Sequence, residues 1–296
     1  MIPTPNPLLR KLGFSDRDRV VILHADDIGM CQASVQAFAD LWDFGTVSSG
    51  AVMMPCSWAP AAAEMCRNNP GIDMGVHATL TSEWNAYRWG PLSTRDPGSG
   101  LVDSAGFLFQ TSAEFQQNAD PDSVLLELSL QVQRAKEWGI DVSHMDTHMG
   151  SILHPQLLPA YIQAGFSNRI PLMMLRGDSD FLLGMGASPE DVEGYLEIIS
   201  MLEEQGIPLI DHICFMPLDQ PDDQISIAKK LLDECPSGIT HFILHPSIDS
   251  PEIRDIADDW QSRVANYKVF MSKDLKDFLG ESGIQMIGYR KLRELL

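Results

Sequence analysis

Residues 20–29, VVILHADDIG, decide how the rest of the chain is organised. Their apolar, β-branched start is typical of a buried strand. The strand ends at two adjacent carboxylates, Asp26 and Asp27, and Gly29 then allows a sharp turn into a helical pattern that begins near Cys31. Neighbouring acids repel each other, so a cation beside them would relieve the conflict. The alternative is a helix N-cap plus a solvated acid, since Asp is a favoured capping residue.

The composition excludes several classes of partner. The chain has 296 residues, of which 44% are hydrophobic, and a formal net charge of -20. Such an acidic protein is a poor ligand for nucleic acid or for an anionic membrane surface. The five cysteines form no Cys-x-x-Cys pair, so neither a disulfide framework nor a cysteine zinc site is expected. The sequence shows no signal peptide and no apolar run that would span a bilayer, and we expect a cytoplasmic protein.

Strand and helix patterns alternate along the whole chain. This alternation indicates βαβ units and a parallel sheet. We predict a single α/β domain over residues 1–296, a distorted (β/α) barrel of about seven or eight strands, with a doubly wound open sheet as the alternative. The predicted strands lie at 20–24, 47–54, 72–76, 140–145, 170–175, 207–213, 239–244 and 284–288.

Two segments depart from this alternation. Residues 1–19 contain several prolines and are predicted to form an irregular arm. Residues 81–119 lose regular periodicity and are predicted to be a long inserted loop, which in a compact domain is usually functional or mobile.

Five ionisable residues fall at or just beyond predicted strand ends. Asp26 and Asp27 follow the first strand, His77 the third and His148 the fourth, and His245 ends the seventh. In a parallel barrel the carboxyl ends of all strands meet on one face, where active sites are built. We therefore expect these side chains to share one site.

One carboxylate with two imidazoles forms a set that binds a divalent metal and leaves positions open for water and substrate. Such a metal polarises a carbonyl and lowers the pKa of a water molecule. The second carboxylate of the Asp26–Asp27 pair is then available as a base, and His245 as a proton donor to a leaving group. The spacing does not divide these roles between the two aspartates.

Three sequence blocks resemble the YdjC-like carbohydrate deacetylases: residues 24–29 (HADDIG), 75–81 (GVHATLT) and 143–148 (SHMDTH). The later His245-Pro246 and the closing segment 282–290 are also similar to that family, in the same order along nearly the whole chain. The resemblance implies a distorted (β/α) barrel that removes acetyl groups from N-acetylated sugars, is metal-dependent and is often a homodimer.

By this resemblance Asp27, His77 and His148 would bind one divalent ion, Mg or Zn, Asp26 would be the general base, and His245 would protonate the departing amine. Where the family pattern has further histidines, this chain has Met149, Gly150 and Ile152. The pocket is therefore expected to differ locally, and the sugar and the acyl group stay open.

Three further residues are candidates for substrate binding. Trp84 and Trp89 in the 81–119 segment present aromatic faces that stack on sugar rings or, alternatively, anchor the loop. Arg176, near the fifth strand, would hold Asp26 or the substrate, or serve the structure alone. We expect structural or surface roles for His24, His154, His212 and His241, and at most a supporting hydrogen bond from His144.

Other functions remain as alternatives. A metal-dependent sugar isomerase on a similar barrel would require more carboxylate ligands than this set supplies. A non-catalytic sugar-binding protein would keep the same pocket. Glycoside hydrolysis is the weakest alternative, because adjacent acids cannot easily flank a glycosidic bond from opposite sides.

Overall fold

A computed structural model describes residues 5–177, 179–184 and 188–296. Within these residues the structure has seven strands, all paired in parallel. The strands are β1 Arg19–Ile28, β2 Ser49–Val52, β3 Met74–Ala78, β4 Val142–Thr147, β5 His212–Phe215, β6 Gly238–Leu244 and β7 Gln285–Met286.

Helices follow most of the strands. They are α1 Pro7–Lys11, α2 Gln32–Phe44, α3 Ala59–Asn68, α4 Ser112–Asn118, α5 Pro121–Glu137, α6 Leu158–Asn168, α7 Ser179–Gly184, α8 Pro189–Glu204, α9 Gln224–Asp233, α10 Pro251–Ile256, α11 Trp260–Phe270, α12 Lys273–Glu281 and α13 Tyr289–Arg293. Among the described residues no helix is both long and apolar enough to cross a bilayer.

Hydrogen bonds join the strands into a closed circuit. Six strands are paired in the order β4-β3-β2-β1-β6-β5. Residues 171–176 bridge the two ends of this order, because Met145 N donates to Pro171 O at 3.0 Å on one side and Ile210 N donates to Met174 O at 3.0 Å on the other. The predicted α/β class with a parallel sheet is confirmed, and the closed circuit agrees with a distorted barrel rather than an open sheet.

The predicted fifth and eighth strands are shorter than expected. Residues 171–176 form only isolated bridges to their neighbours, partly because Pro171 has no N–H to donate. The eighth predicted strand is reduced to β7, which pairs with β1 at Val20 and Val21. It fills the edge of β1 below His24, where the pairing with β2 begins.

Two segments predicted to be irregular contain short regular elements. The N-terminal arm contains α1, whose first turn is capped by the Asn6 side chain accepting from Leu8 N at 3.0 Å. Its Leu8 and Leu9 are buried, which explains why a short helix forms in a proline-rich stretch. The predicted loop 81–119 contains α4 and an antiparallel bridge between Val102 and Leu108, so part of it is regular.

The core has two parts because alternate residues of β1 face opposite sides of the sheet. Val21 and Leu23 belong to the larger cluster, which packs under the outer helices. Val20 and Ile22 belong to a smaller cluster inside the ring of strands, which also contains residues of α1 and α13. The inner face of β1 therefore begins apolar, and the next inward positions along the strand are His24 and Asp26.

Gly75 makes room for an inward histidine. A Cβ atom at this position would lie 2.4–2.6 Å from three atoms of the His144 ring. We expect Gly75→Ala to displace that ring and to lower the free energy of unfolding by about 1–3 kcal/mol. Gly280→Ala in α12 is the matched control, because nothing lies within 4 Å of its Cβ position. Urea denaturation measures both, and equal stability of the two variants would contradict this packing.

Candidate metal centre

Strand alternation gathers the polar side chains inside the ring. Residues two or four apart on a strand share a face, so inward histidines and aspartates recur along β1, β4 and β6. The residues concerned are His24 and Asp26 on β1, Gly75 and His77 on β3, His144 and Asp146 on β4, and His241 on β6, with His148 and His245 just beyond the ends of β4 and β6.

Asp27 departs from this alternation of side chains, and the departure brings its carboxylate into the site. Continued alternation would turn Asp27 away from Asp26 and toward the outer helices. Instead, Asp27 has a φ of 59°, in the left-handed region, and the pairing of β1 with β2 shifts register between Ala25 and Ile28. The irregularity lets two consecutive carboxylates face the same group of histidines, at a backbone conformation that is costly for a residue other than glycine.

Asp27, His77 and His148 form a compact donor set. One donor atom from each lies within 4.8 Å of the others, and all three residues are buried. Asp27 Oδ1 lies 3.1 Å from His148 Nδ1 and 3.4 Å from His77 Nε2. Among the described residues no aligned hydrogen bond reaches this oxygen. A buried oxygen that faces two imidazole nitrogens without such a bond fits a divalent cation, so these residues suit the predicted ion.

Three outer contacts hold the donor set in place. His77 Nδ1 is 2.8 Å from Asp146 Oδ1, and His148 Nε2 is 2.9 Å from Glu83 Oε2. Arg263 donates to Asp27 Oδ2 at 2.6 Å. Carboxylates of this kind orient a histidine and fix which nitrogen is free to bind a metal.

None of these three outer residues was predicted from the sequence to belong to the site. Asp146 was detectable, because it lies two residues before His148 and therefore on the same strand face. Glu83 lies in the irregular segment and Arg263 on α11, and neither position carries a local pattern that indicates the contact.

Charge in the site favours a bound cation. Burial alone would lower the pKa of His148, but Glu83 and Asp27 outweigh it and raise that pKa to about 9. Burial likewise opposes the charged form of His77, yet Asp146 and Asp26 raise its pKa well above the usual value. For Asp27, burial is outweighed by Arg263 and His148, so its pKa is held well below the usual range. A divalent ion would replace the two imidazole protons.

Asp26 and His245 lie beside the donor set. Asp26 Oδ1 is 2.6 Å from His24 Nδ1, while Oδ2 is 3.8 Å from His77 Nε2 and 3.9 Å from His245 Nε2. The backbone N–H of His245 donates to Asn266 Oδ1 at 3.0 Å, which fixes the start of its loop. Burial lowers the pKa of His245, against the opposing charges of Asp27 and Asp26, so its ring is neutral near pH 7. The structure thus brings together all five predicted strand-end residues.

The three candidate substrate residues have different positions. Trp89 is buried and its Nε1 donates to Thr81 O at 2.8 Å, with its ring centroid 6.4 Å from that of His148. The Trp84 ring lies 5.7 Å from the Arg263 guanidinium carbon. Both tryptophans therefore border the site.

Arg176 is placed away from Asp26. Its guanidinium pairs with Glu203 at 2.5 Å and with Asp211 at 3.0 Å. Asp211 in turn accepts from the Asn6 side chain at 3.0 Å, on the side of the ring where α1 packs. These contacts link α8 to the start of β5, and the structure gives Arg176 that position rather than one beside the carboxylate cluster.

Two of the histidines predicted to be structural or at the surface, His24 and His241, are fully buried inside the ring, next to the donor set. His144, predicted to give at most a supporting hydrogen bond, is fully buried beside them. Their positions were detectable from the two-residue alternation with Asp26, Asp146 and His245.

An α/β sheet that directs two histidines and an aspartate to the carboxyl ends of its strands presents the donor types that a divalent-metal site uses. A family model described as YdjC-like protein matches residues 20–281, and the chain therefore belongs to the YdjC-like family.

Curated relatives carry the name carbohydrate deacetylase. The protein of Thermus thermophilus is 30% identical over 290 residues, which cover 98% of this chain and 99% of the relative. The protein of Thermoanaerobacter pseudethanolicus is 21% identical and covers 93% of this chain and 100% of its own length. A solved structure from Enterococcus faecalis has the same fold, with a TM-score of 0.74 at 20% identity, covering 93% of this chain and 99% of that one.

The metal-free protein is expected to lose stability as the pH rises. The pKa of His148 is about 9 in the fold against 6.5 as its ordinary value, so its stabilising charge is fully present below pH 6.5 and lost as the pH passes 9. His77 acts in the same direction. Burial is the main cause that lowers the pKa values of His144 and His241, so these two residues change the free energy of unfolding only below pH 6.5.

We expect His148 alone to lower the free energy of unfolding of chelator-treated protein by about 3 kcal/mol between pH 6.5 and 9.5, and His77 to add to this fall. Urea denaturation across this range measures it, and His148→Gln should flatten part of the slope. A free energy of unfolding that stays constant or rises over this window would contradict the charge assignment.

Proposed function

We propose that this protein is a divalent-metal-dependent hydrolase that removes an acetyl group from an N-acetylated sugar. The observation that carries the proposal is the donor set Asp27, His77 and His148 with a second carboxylate, Asp26, 3.8 Å from one ligand. The names of the curated relatives support the same reaction.

The ligand chemistry favours a transition metal over magnesium. Two of the three donors are imidazoles, which suit zinc and its neighbours, whereas magnesium prefers an all-oxygen shell with several waters. When bound between Asp27, His77 and His148, the ion would polarise the acetyl carbonyl and increase the acidity of a water molecule. Zinc, manganese and cobalt are therefore expected to support the reaction better than magnesium.

Asp26 is proposed as the general base. Its Oδ1 is engaged by His24 Nδ1 at 2.6 Å, which leaves Oδ2 directed toward His77 and His245. Burial raises the pKa of Asp26, but His77 and the hydrogen bond from His24 outweigh it, so the carboxylate is ionised and able to accept a proton. Asp26 would take that proton from the attacking water.

His245 is proposed to return the proton to the substrate. The carboxylate Oδ2 of Asp26 and Nε2 of His245 are 3.9 Å apart, and a movement of about 1 Å brings them within hydrogen-bonding distance. A proton accepted by Asp26 then passes through Nε2 to the departing nitrogen. The C–N bond of the amide breaks, a C–O bond to the water oxygen forms, and the products are acetate and a free amine.

The substrate would enter from the carboxyl ends of the strands. Trp84 lies beside Arg263 and its Nε1 is a buried donor with no partner among the described residues. Met149, at the same end, is half exposed and occupies a left-handed conformation. We propose that Trp84 offers its ring to a sugar, while Trp89, whose N–H is already used, anchors the segment.

The direct test is acetate release from N-acetylated mono-, di- and trisaccharides, with magnesium, zinc, manganese or cobalt added to chelator-treated protein. We expect stoichiometric acetate and free amine with at least one of these metals. Formation of a sugar isomer without acetate would favour the isomerase alternative. Recovery of unchanged sugars that nevertheless bind to the metal-loaded protein would favour the non-catalytic alternative.

Asp26→Asn tests the role of the base. We expect acetate release to fall by about 10²–10⁴-fold, because the amide cannot accept the proton, while metal bound to the Asp27 set is retained. Metal content by mass spectrometry and acetate release are measured together. Asp141→Asn is the matched control, since Asp141 pairs with Arg293 away from the site. Undiminished turnover in Asp26→Asn would remove Asp26 from the mechanism.

A further inference from the structure

A second group of donors lies deeper in the ring of strands. His24, Asp26, Asp146 and His241 each offer one donor atom within 4.8 Å of the others. Their side chains are almost completely enclosed, with His24 and His241 at 0% relative exposure. In the proposed deacetylation Asp26 acts directly, while Asp146 holds His77 and His24 holds Asp26, and no role falls to His241 or to the second oxygen of Asp146.

Two buried atoms in this group have no partner. Asp146 Oδ2 and His241 Nε2 make no hydrogen bond among the described residues. A third donor, His24 Nε2, lies 3.6 Å from Asp146 Oδ2. Buried polar atoms nearly always have a hydrogen-bond partner, so an unpaired carboxylate oxygen and an unpaired imidazole nitrogen in one cluster are suited to bind a cation.

The remaining atoms of these side chains are already held. His241 Nδ1 is 2.9 Å from the Tyr289 hydroxyl, His24 Nδ1 is 2.6 Å from Asp26 Oδ1, and Asp146 Oδ1 is 2.8 Å from His77 Nδ1. His241 and Asp146 thus each have one atom fixed by a neighbour and the other without a hydrogen bond among the described residues, while His24 Nε2 is shared with His144. The first donor set has the same arrangement, in which an outer contact fixes the ring of a metal-binding histidine.

The negative charge of the two carboxylates in this group also favours a bound cation. Asp26 and Asp146 are two carboxylates inside the protein, and in the described part of the chain all their ion-pair partners are histidines. Arg263, the nearby guanidinium, is paired with Asp27 and Asp259 instead. A buried charge without a permanent counter-charge is costly, and a divalent ion would neutralise both carboxylates.

We propose that His24, Asp146 and His241 bind a second divalent transition-metal ion beneath the first. Two imidazoles and a carboxylate repeat the composition of the outer set and favour zinc, manganese, iron or cobalt. Asp26 lies between the two sites, because its Oδ1 holds His24 and its Oδ2 faces His77. The inner ion would position Asp26 without touching substrate.

Ion binding has a defined structural cost. His24 Nε2 is 2.9 Å from His144 Nε2, and coordination by His24 replaces that hydrogen bond. His144 keeps its contact with Ser143 Oγ at 2.9 Å and its stacking on Tyr289, with ring centroids 3.8 Å apart. The ring that loses a partner is therefore still held on two sides.

Anomalous diffraction from crystals of the full chain grown with zinc tests the inference. Data on both sides of the zinc absorption edge should show two peaks per chain, one at Asp27, His77 and His148 and one at His24, Asp146 and His241. A single peak in the outer set, with a water molecule between Asp146 and His241, would overturn the proposal. Additional ions on surface histidines alone would overturn it equally.

A variant gives a second, independent measurement. His241→Gln removes one inner ligand, and we expect native mass spectrometry to show a loss from two zinc ions per chain to one. His212→Gln is the matched control, because His212 lies at the start of β5 and contacts Ser237 O rather than the cluster. Two ions retained in His241→Gln would contradict the site. If His241→Gln does not fold, the wild-type diffraction decides alone.

The inner site is separable from the proposed deacetylation. One zinc per chain together with acetate release would reject only the inner site. Two zinc ions without acetate release from any substrate would reject only the proposed reaction.

Discussion

Two consecutive carboxylates must face the same side of a strand, and the site depends on that constraint. A regular strand forbids it, since neighbouring side chains alternate between faces. The chain satisfies it at the end of β1, where Asp27 takes a φ of 59° and the pairing with β2 slips. The conformational cost of order 1–3 kcal/mol is opposed by Arg263 and two imidazoles around the carboxylate of Asp27.

The inside of the ring is layered along the strands as a consequence. Apolar residues such as Val20 and Ile22 pack against α1 and α13 at the amino ends. The buried histidine cluster follows, with Tyr289 stacked on His144. The donor set of Asp27, His77 and His148 comes last, together with His245, at the carboxyl ends. Each layer lies two to four residues further along the strands, so the polarity of the interior rises in the direction of the proposed substrate entrance.

The strand-end residues were predictable because strand order and residue spacing suffice to place them. An apolar run followed by Asp26-Asp27 predicts a carboxylate at the end of β1, and the same logic places His77, His148 and His245. The inward position of His24, His144 and His241 could have been deduced from strand alternation. A lone buried histidine usually has a structural role, however, and His24 and His241 were therefore predicted to be structural or at the surface.

Other features could not be predicted from the sequence, for physical reasons. Glu83 and Arg263 reach the site from an irregular segment and from a helix whose spacing does not reveal which neighbour it meets. Arg176 follows the bridging residues 171–176, and its partner depends on where α8 packs. The helix α1 forms because Leu8 and Leu9 are buried inside the ring, a tertiary effect that overrides a proline-rich local sequence.

The central claim is that Asp27 is turned inward to bind a cation with His77 and His148. It is tested most directly by counting the manganese ions bound to chelator-treated protein, using electron paramagnetic resonance of the free ion. At a concentration that saturates the wild type, we predict that Asp27→Asn binds one ion fewer, while His154→Gln, altered outside the cluster, binds the same number as the wild type. Equal numbers of ions in Asp27→Asn and the wild type would contradict the account.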